Sequence, residues 1–494
     1  MIYLQRHTMD LTKKIVLVLS AVTAIATVSQ IALGADFVIL MMALCAIASG
    51  LAGFYLLGSY NLVGWWFLLY VIGHVGVALV AKTLYRQPLE SYLYAPFHSY
   101  LIEAVTCFIA LCTIILVIWT NTGKPLFEKI TDPGLLLFLS WSCFFIGSAV
   151  MLLFRLIAGG DKSGGASYGG IAFLESLAYM GIIARTAYLA QASHGKKFLD
   201  SKLLFMLVSL TGLGILAGGK SSTAVPWLCF LLTVIFFAGK LPWRYVGFML
   251  AGGLLFVLFL SPFIHILRGL QLRDASLGEE ISLMEHYLPL ILNPDEFLFF
   301  AQRASTDTNY FHYFGSPKEG ILLPRFTSVQ QIDPVIVPRD AGDRMDTKLA
   351  LDAVKANLPK FLVPDKPTET NAYTILVHEG YVPVYSTGHY PTLPYSGEIY
   401  LIFGWPGVIA GSFALLFLYF LALKKIGWNL YCNIFSVFLF GSSLYHSNEM
   451  SLQDFIGQII RDFPIFVLLI IFLVRAYYVF SRRILTKQES YAGT

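Results

Sequence analysis

The chain predicts an all-α polytopic membrane protein, and three observations carry that prediction. Of its 494 residues, 57% are hydrophobic and only 13% are charged, far from the balance of a water-soluble domain. Apolar runs of about 20 residues, the length that crosses a bilayer core as a helix, recur along the sequence. Those runs are continuous, whereas a membrane β-barrel would alternate apolar with polar residues. Inside a bilayer the backbone must satisfy its own hydrogen bonds, and a helix does so.

Twelve spans follow, at 15–33, 37–57, 62–81, 99–120, 134–158, 168–192, 203–217, 227–239, 245–269, 397–423, 429–445 and 463–481. The seventh and eighth are short, with Gly218, Gly219 and Pro226 as candidate kink positions. One long polar interruption separates the ninth span from the tenth. Residues 270–396 hold 10 Lys/Arg, 16 Asp/Glu and no cysteine. The chain thus divides into nine spans over 1–269, a large loop over 270–396, three spans over 397–481 and a short polar tail over 482–494, read as a frayed end.

Lysine and arginine concentrate on the cytoplasmic side of a membrane protein. With the N-terminus inside, the short inner segments carry fifteen of them, from Arg6, Lys13 and Lys14 to Arg482, Arg483 and Lys487. The short outer segments carry five: Lys82, Arg86, Lys162, Lys220 and Arg461. Both termini are therefore expected inside and the loop outside, where its net charge of −6 (10 − 16) is at home. Lys13 and Lys14 precede an apolar run ending in Ala32-Leu33-Gly34-Ala35, a weak cleavage-like pattern that reads better as an uncleaved first span.

Several function classes are set aside. The six cysteines all fall in apolar spans without a CxxC spacing, so they read as small buried hydrophobes. No GxGxxG after a strand and no HExxH occurs, so neither a nucleotide nor a nucleic acid is expected. Asp340, Asp343 and Asp346 do not follow the spacing of a calcium loop, and no metal or other cofactor is expected. The internal duplication common in transporters is not evident.

Ionisable residues inside spans are costly and hence candidates for function. Five stand out: Glu103, Arg155, Glu175, Arg185 and Arg268. All but Arg185 lie toward the side of the large loop. Arg155 can also be read as a snorkelling side chain, and Glu175 as half of a Glu–Arg pair. Their clustering on one side favours an anionic ligand, for which the planar fork of arginine is suited.

Within the loop, a surface helix is expected over 278–292 and a second over 295–304. The second carries Phe297, Phe299, Phe300 and Arg303, either in the headgroup layer or against the loop's own core. Residues 315–346, rich in Pro, Gly and Asp, read as irregular, and 347–358 as a short helix. Then come Leu358-Pro359-Lys360-Phe361-Leu362-Val363-Pro364-Asp365-Lys366-Pro367, His378-Glu379-Gly380 and His389. The loop closes on Ser396-Gly397-Glu398-Ile399-Tyr400, which leads into Phe403-Gly404-Trp405-Pro406-Gly407.

This order resembles that of bacterial O-antigen and exopolysaccharide repeat-unit polymerases of the Wzy type. That family shows a proline–basic–aromatic segment ending in Lys-Pro, matched by 358–367. An acidic–aromatic pair and a Phe-Gly-x-x-Gly return into the membrane follow, matched by 397–407. A Gly-x-Arg-Ser segment at an outer turn has its counterpart in Gly218-Gly219-Lys220-Ser221-Ser222, with Lys in place of Arg. The resemblance implies a fold like that of C-type glycosyltransferases. It implies transfer of an oligosaccharide chain from undecaprenyl pyrophosphate to another lipid-linked repeat unit, at the outer face of the inner membrane. It also implies no nucleotide sugar, no general metal requirement and a chain-length regulator protein as partner.

That reaction needs two things. The charge developing on the pyrophosphate must be stabilised, for which Arg155, Arg268 and Arg303 come first, then Lys366 and Lys220. The acceptor hydroxyl must lose a proton, for which His378, His389 and Glu398 are the candidates. Glu398 has a rival role as partner for an arginine. Tyr381, Tyr385, Tyr390 and Tyr395 either form a sugar-stacking rim or pack the loop onto the spans. The last external loop adds His446, Asn448, Glu449, Asp454 and Arg461 as further polar groups. Two other readings stand: an O-antigen ligase or other lipid-linked glycosyltransferase, and a polysaccharide flippase or transporter.

Overall fold

The computed structural model describes residues 2–157, 174–216, 220–238, 243–256, 277–287, 327–340, 345–359, 362–367, 393–444 and 450–492, with isolated positions between them (260, 263, 264, 289, 293, 313, 342, 374, 375 and 377). Among these the chain is helical and contains no strand, apart from one isolated bridge between Asn61 and Asn429. The protein is an all-α membrane protein. Seven described helices are long and apolar enough to cross a bilayer: Leu11–Ala32, Phe37–Leu57, Leu62–Leu84, Pro96–Trp119, Pro133–Leu153, Gly407–Ile426 and Leu452–Ser481.

We label the elements in chain order: α1 Ile2–Ala32, α2 Phe37–Leu57, α3 Leu62–Leu84, α4 Pro96–Trp119, α5 Pro133–Ile157, α6 Leu177–Ala192, α7 Ser201–Leu216, α8 Lys220–Ala238 and α9 Trp243–Leu255. The loop contributes α10 Leu277–Tyr287, α11 Val329–Asp340 and α12 Lys348–Asn357. Then follow α13 Tyr395–Phe403, α14 Gly407–Ile426, α15 Ile434–Leu444 and α16, which starts at Leu452 and continues through Phe463–Ala492.

Local chemistry sets the helix ends. Asp36 accepts hydrogen bonds from the amides of Val38 and Ile39 at 2.8 and 3.1 Å and so starts α2. Asn61 does the same for α3 through Val63 and Gly64, and Ser451 and Asp454 form a reciprocal capping box at α16. Each satisfies first-turn amides that have no partner within the helix. Close approach is set by small residues. A Cβ on Gly147 of α5 would lie 2.2 Å from the Ala178 amide, and one on Gly181 of α6 would lie 2.7 Å from the Ser140 carbonyl. These glycines let α5 and α6 pack backbone to backbone.

The connecting turns gather at two ends of the bundle. At one end the turns 58–61, 120–130 and 427–433 join by backbone hydrogen bonds, Leu62 to Trp428 and Leu430 to Tyr60 at 2.8 Å and Phe127 to Ile426 at 3.0 Å. At the other end meet the 33–36 and 85–95 turns, Tyr313, α11 and α13, through Asp36 to Glu90 at 3.1 Å and Asp333 to Tyr94 at 2.6 Å. This second cluster is the loop end.

Several expectations are corrected. The span expected at 397–423 is two helices, because the chain breaks at Gly404, where φ is +69°. Residues 329–340, expected to be irregular, form α11 despite Pro334 and Pro338. Burial of Val329, Ile332, Val335 and Ile336 there outweighs the helix-breaking cost of proline. The last helix begins at Leu452, so Asp454 and Arg461 are helical rather than part of an external loop. The tail expected to fray continues as helix to Ala492. The helices expected at 278–292 and 347–358 are found as α10 and α12, and the one expected at 295–304 lies outside the described residues.

Candidate functional site at the loop end

The site is built on the first turns of α4. Ser99, Tyr100 and Glu103 are all completely buried, and their spacing of three and four residues places them on one face. Each engages a different part of the chain. The Ser99 hydroxyl donates to Asp333 at 2.9 Å, the Tyr100 hydroxyl pairs with that of Tyr313 at 2.9 Å, and Glu103 faces α3 and α13.

Glu103 is the centre of this arrangement. His74 Nδ1 lies 3.0 Å from its Oε2, out of line for a directed N–H···O bond. The Ser396 hydroxyl donates to its Oε1 at 3.2 Å, and the Tyr70 hydroxyl reaches Oε2 at 3.5 Å. His74 sits on a π-helical segment of α3, Ile72–Gly76, and its ring stacks on Tyr70 at 3.8 Å. A π-segment widens the helix by one residue and often marks a functional position. Here it carries an imidazole to a carboxyl group in the bilayer-spanning part of the bundle.

The second carboxyl group is Glu398. Helix α13 is buried over Tyr395–Ile402 and lies outside the seven spans. Glu398 Oε2 accepts the Leu452 amide at 2.9 Å, which ties α13 to the start of α16. Its Oε1 is buried without a hydrogen-bond partner among the described residues. Burial pushes this carboxyl group up to about 8, helped by the nearby Asp454 and opposed by the Leu452 amide. A carboxyl group held near neutrality, with one oxygen uncommitted, can give or take a proton.

Two further contacts hold the loop down. Asp333 accepts the Tyr94 and Ala95 amides at 2.6 and 2.8 Å as well as the Ser99 hydroxyl. A residue distant in sequence thus caps α4. Burial raises the Asp333 carboxyl group even against these three bonds. Lys82, completely buried, donates to the Tyr313 carbonyl, to Gln87 Oε1 at 3.0 Å and to both oxygens of Ser91 at 2.9 Å. Its ammonium also lies 4.0 Å from the centre of the Tyr313 ring.

With this geometry in view, the chain was compared with known proteins. No family model, curated protein or solved structure matches it. The functional reading therefore rests on the site.

Of the residues expected from sequence, Glu398 lies in this cluster. Lys366 lies apart from the Glu103 group, partly buried near Arg461, and burial followed by that neighbouring charge lowers its ammonium pKa. Arg461 itself pairs with Asp462 at 2.6 Å. Arg155 is placed on α5 and Lys220 at the start of α8, while their side chains lie outside the described residues. Arg268, Arg303, His378 and His389 lie outside them too, as do Tyr381, Tyr385, Tyr390, His446, Asn448 and Glu449. Tyr395 is no rim residue: it is buried, with its ring 4.6 Å from that of Phe455. Arg185 pairs with Asp200, which starts α7. His74, Lys82 and Asp333 were missed. A histidine within an apolar run one span before Glu103 was a usable signal for the first.

Proposed function

We propose that the chain is a glycosyltransferase that polymerises oligosaccharide repeat units carried on undecaprenyl pyrophosphate. It works at the outer face of the bacterial inner membrane, with both termini cytoplasmic, the loop periplasmic and twelve spans in all. The observation that carries this reading is the buried helix α13, held under the loop by Glu103 on one side and by the α16 amide on the other through Glu398. A substrate whose sugar is in water and whose anchor is in lipid has its reacting bond at the membrane surface. A site made jointly by loop and spans suits such a substrate.

In this reading Glu398 takes the proton of the acceptor sugar hydroxyl. His74 and Glu103 hold Ser396 and the start of α13 in place. Cationic groups stabilise the pyrophosphate that leaves, with Lys366 the described candidate and Arg155, Arg268, Arg303 and Lys220 the others expected from the sequence. An apolar groove of about 470 Å³ between α1, α2 and α3 supports the reading. Leu19, Val22, Leu51 and Leu68 line it, together with Ile72 and Gly76 of the π-segment. One side of that segment thus offers room for a lipid chain, and the other faces Glu103.

The partners are then the lipid-linked oligosaccharide, the bilayer and a chain-length regulator. An O-antigen ligase would use the same surface with a different acceptor. The His74–Glu103 pair also favours one reading of another class, a proton-coupled polysaccharide transporter. Deleting the gene and resolving the surface polysaccharide on a gel separates the three. Chains that stop at one repeat unit support the polymerase. Lipid-linked polymer that never reaches its surface acceptor indicates the ligase. Repeat units retained on the cytoplasmic side indicate the transporter, and an unchanged ladder overturns all three.

A further inference from the structure

Arg339 has no task in the site described above. It stands in the last turn of α11, three residues after Ile336 and seven after Ile332. It therefore shares the stripe that those residues bury against Ile102, Tyr400 and Val408. The residue is half-buried, with one edge of its guanidinium turned toward the bundle. Nη1 of Arg339 is buried and makes no hydrogen bond among the described residues. No described carboxylate pairs with it.

The other terminal nitrogen marks where this guanidinium rests. A Cβ on Gly404 would lie 2.8 Å from Arg339 Nη2. Gly404 also has a φ of +69°, which favours glycine for the backbone, and a side chain there would displace the tip of the arginine. This is the break between α13 and α14, with Trp405 set edge-on to Tyr400 at 5.4 Å beside it. A buried guanidinium nitrogen that lacks an acceptor is costly. An anion that accepts from Nη1 would relieve that cost, and a phosphate matches the planar fork.

We propose that Arg339 binds a phosphate of the lipid-linked substrate at the break between α13 and α14. The inference rests on the lipid-pyrophosphate reading above and assigns that group a residue. Gly404 keeps the guanidinium in place by leaving its own side chain out. In this arrangement the phosphate sits beside α13, the helix that bears Glu398, so one short segment links the leaving group to the proton acceptor.

The test uses the full chain in phosphatidylcholine nanodiscs doped with either polyprenyl pyrophosphate or phosphatidylglycerol, with lipid retention read by native mass spectrometry. Arg339→Gln is expected to lower retention of polyprenyl pyrophosphate by about tenfold or more. Arg339→Lys, which keeps the charge and loses the fork, should fall between, and Lys424→Gln at the opposite end should retain lipid as the parent does. Gly404→Ala should reproduce the loss with Arg339 intact. A thermal melt of each variant in the same nanodiscs shows that it is folded. Equal retention by the parent and a folded Arg339→Gln overturns the assignment of Arg339 while the polymerase reading stands. Arg339-dependent retention of phosphatidylglycerol alone assigns the site to bulk phospholipid and overturns the lipid-linked substrate. A parent chain that retains neither lipid overturns both.

Discussion

The two ends of the bundle solve the same problem in opposite ways. At the end formed by 58–61, 120–130 and 427–433, turns are joined by backbone hydrogen bonds. Lys424 there donates to the carbonyls of Val117, Ile118 and Thr120 at 2.8–3.0 Å. A cation at the C-terminal end of α4 interacts favourably with the helix dipole and needs no deep burial. At the loop end the connections run through Lys82, Glu103, Asp333 and Glu398, each buried to within 2% of completely. Buried ionisable groups are a costly way to hold helices together, and packed apolar residues often do as well or better. Arg185, paired with Asp200, is buried elsewhere, but the loop end gathers four such groups, which makes it the place to test for a role beyond folding.

The largest effect that would sharpen this contrast is at Glu103. Glu103→Ala removes the carboxyl group facing His74, Ser396 and Tyr70. Leaving the buried Ser396 and Tyr70 hydroxyls without this acceptor should cost about 1–3 kcal/mol, read as a lower melting temperature of the detergent-solubilised protein, with polysaccharide chain extension lost. Glu103→Gln keeps an acceptor for Ser396 and should fold well, while chain extension fails because an amide replaces the carboxyl oxygen that faces His74. Normal chain lengths in the glutamine variant would reduce the His74–Glu103 pair to a structural contact.

Glu398 comes next, and its effect depends on pH. Its carboxyl group rises from an ordinary value of 4.5 to about 8 in the folded protein. A group with a raised folded pKa adds stability that is fully present below pH 4.5 and is lost as pH rises through about 8. Between those limits the parent protein should lose on the order of a few kcal/mol. Glu398→Gln should flatten that slope when melting temperature is followed across the window, and should slow chain extension if Glu398 takes the proton. A parent melting temperature that is constant from pH 5 to pH 8 would mean that Glu398 is not held near neutrality.

Asp333 offers a smaller test of how the loop is held. Asp333→Asn weakens the bonds to Tyr94, Ala95 and Ser99 and should cost about 1–2 kcal/mol. The expected signature is local: faster proteolysis within 327–357, with little change in the global melt. Unchanged cleavage would show that the apolar stripe of α11 holds the loop without Asp333.

Much of this was legible in the sequence, and the reasons divide by distance along the chain. The helical membrane class follows from run length and composition, because each span meets the bilayer's demands by itself. The α10 and α12 helices were legible for the same local reason. The break at Gly404 was not, because a left-handed glycine inside an apolar run leaves no trace in hydropathy. Helix α11 was hidden by Pro334 and Pro338, whose local preference is overridden by burial against Ile102 and Tyr400. Glu398 was singled out because it stands where the loop ends, and the structure places it in the buried cluster. His74 was visible as a histidine in an apolar run, but its partner Glu103 is 29 residues away (103 − 74), as Asp333 is 234 from Ser99 (333 − 99), and no pattern in one sequence reveals such pairings.

The smallest expected effect tests the opposite end. Lys424 makes three hydrogen bonds, yet all go to terminal carbonyls of α4 that water can also reach in part. Its ammonium is also 5.0 Å from the centre of the Trp428 ring. Lys424→Met should keep the contact with Trp428 through its apolar stem, lose the dipole interaction and cost about 1 kcal/mol or less. Chain length on the gel should be that of the parent. If Lys424→Met instead shortened the polymer as Glu103→Gln does, the two ends would be coupled. The division of labour drawn from their chemistry would then fail, because a cation facing neutral carbonyls far from α13 can reach the reaction only by moving α4 as a whole.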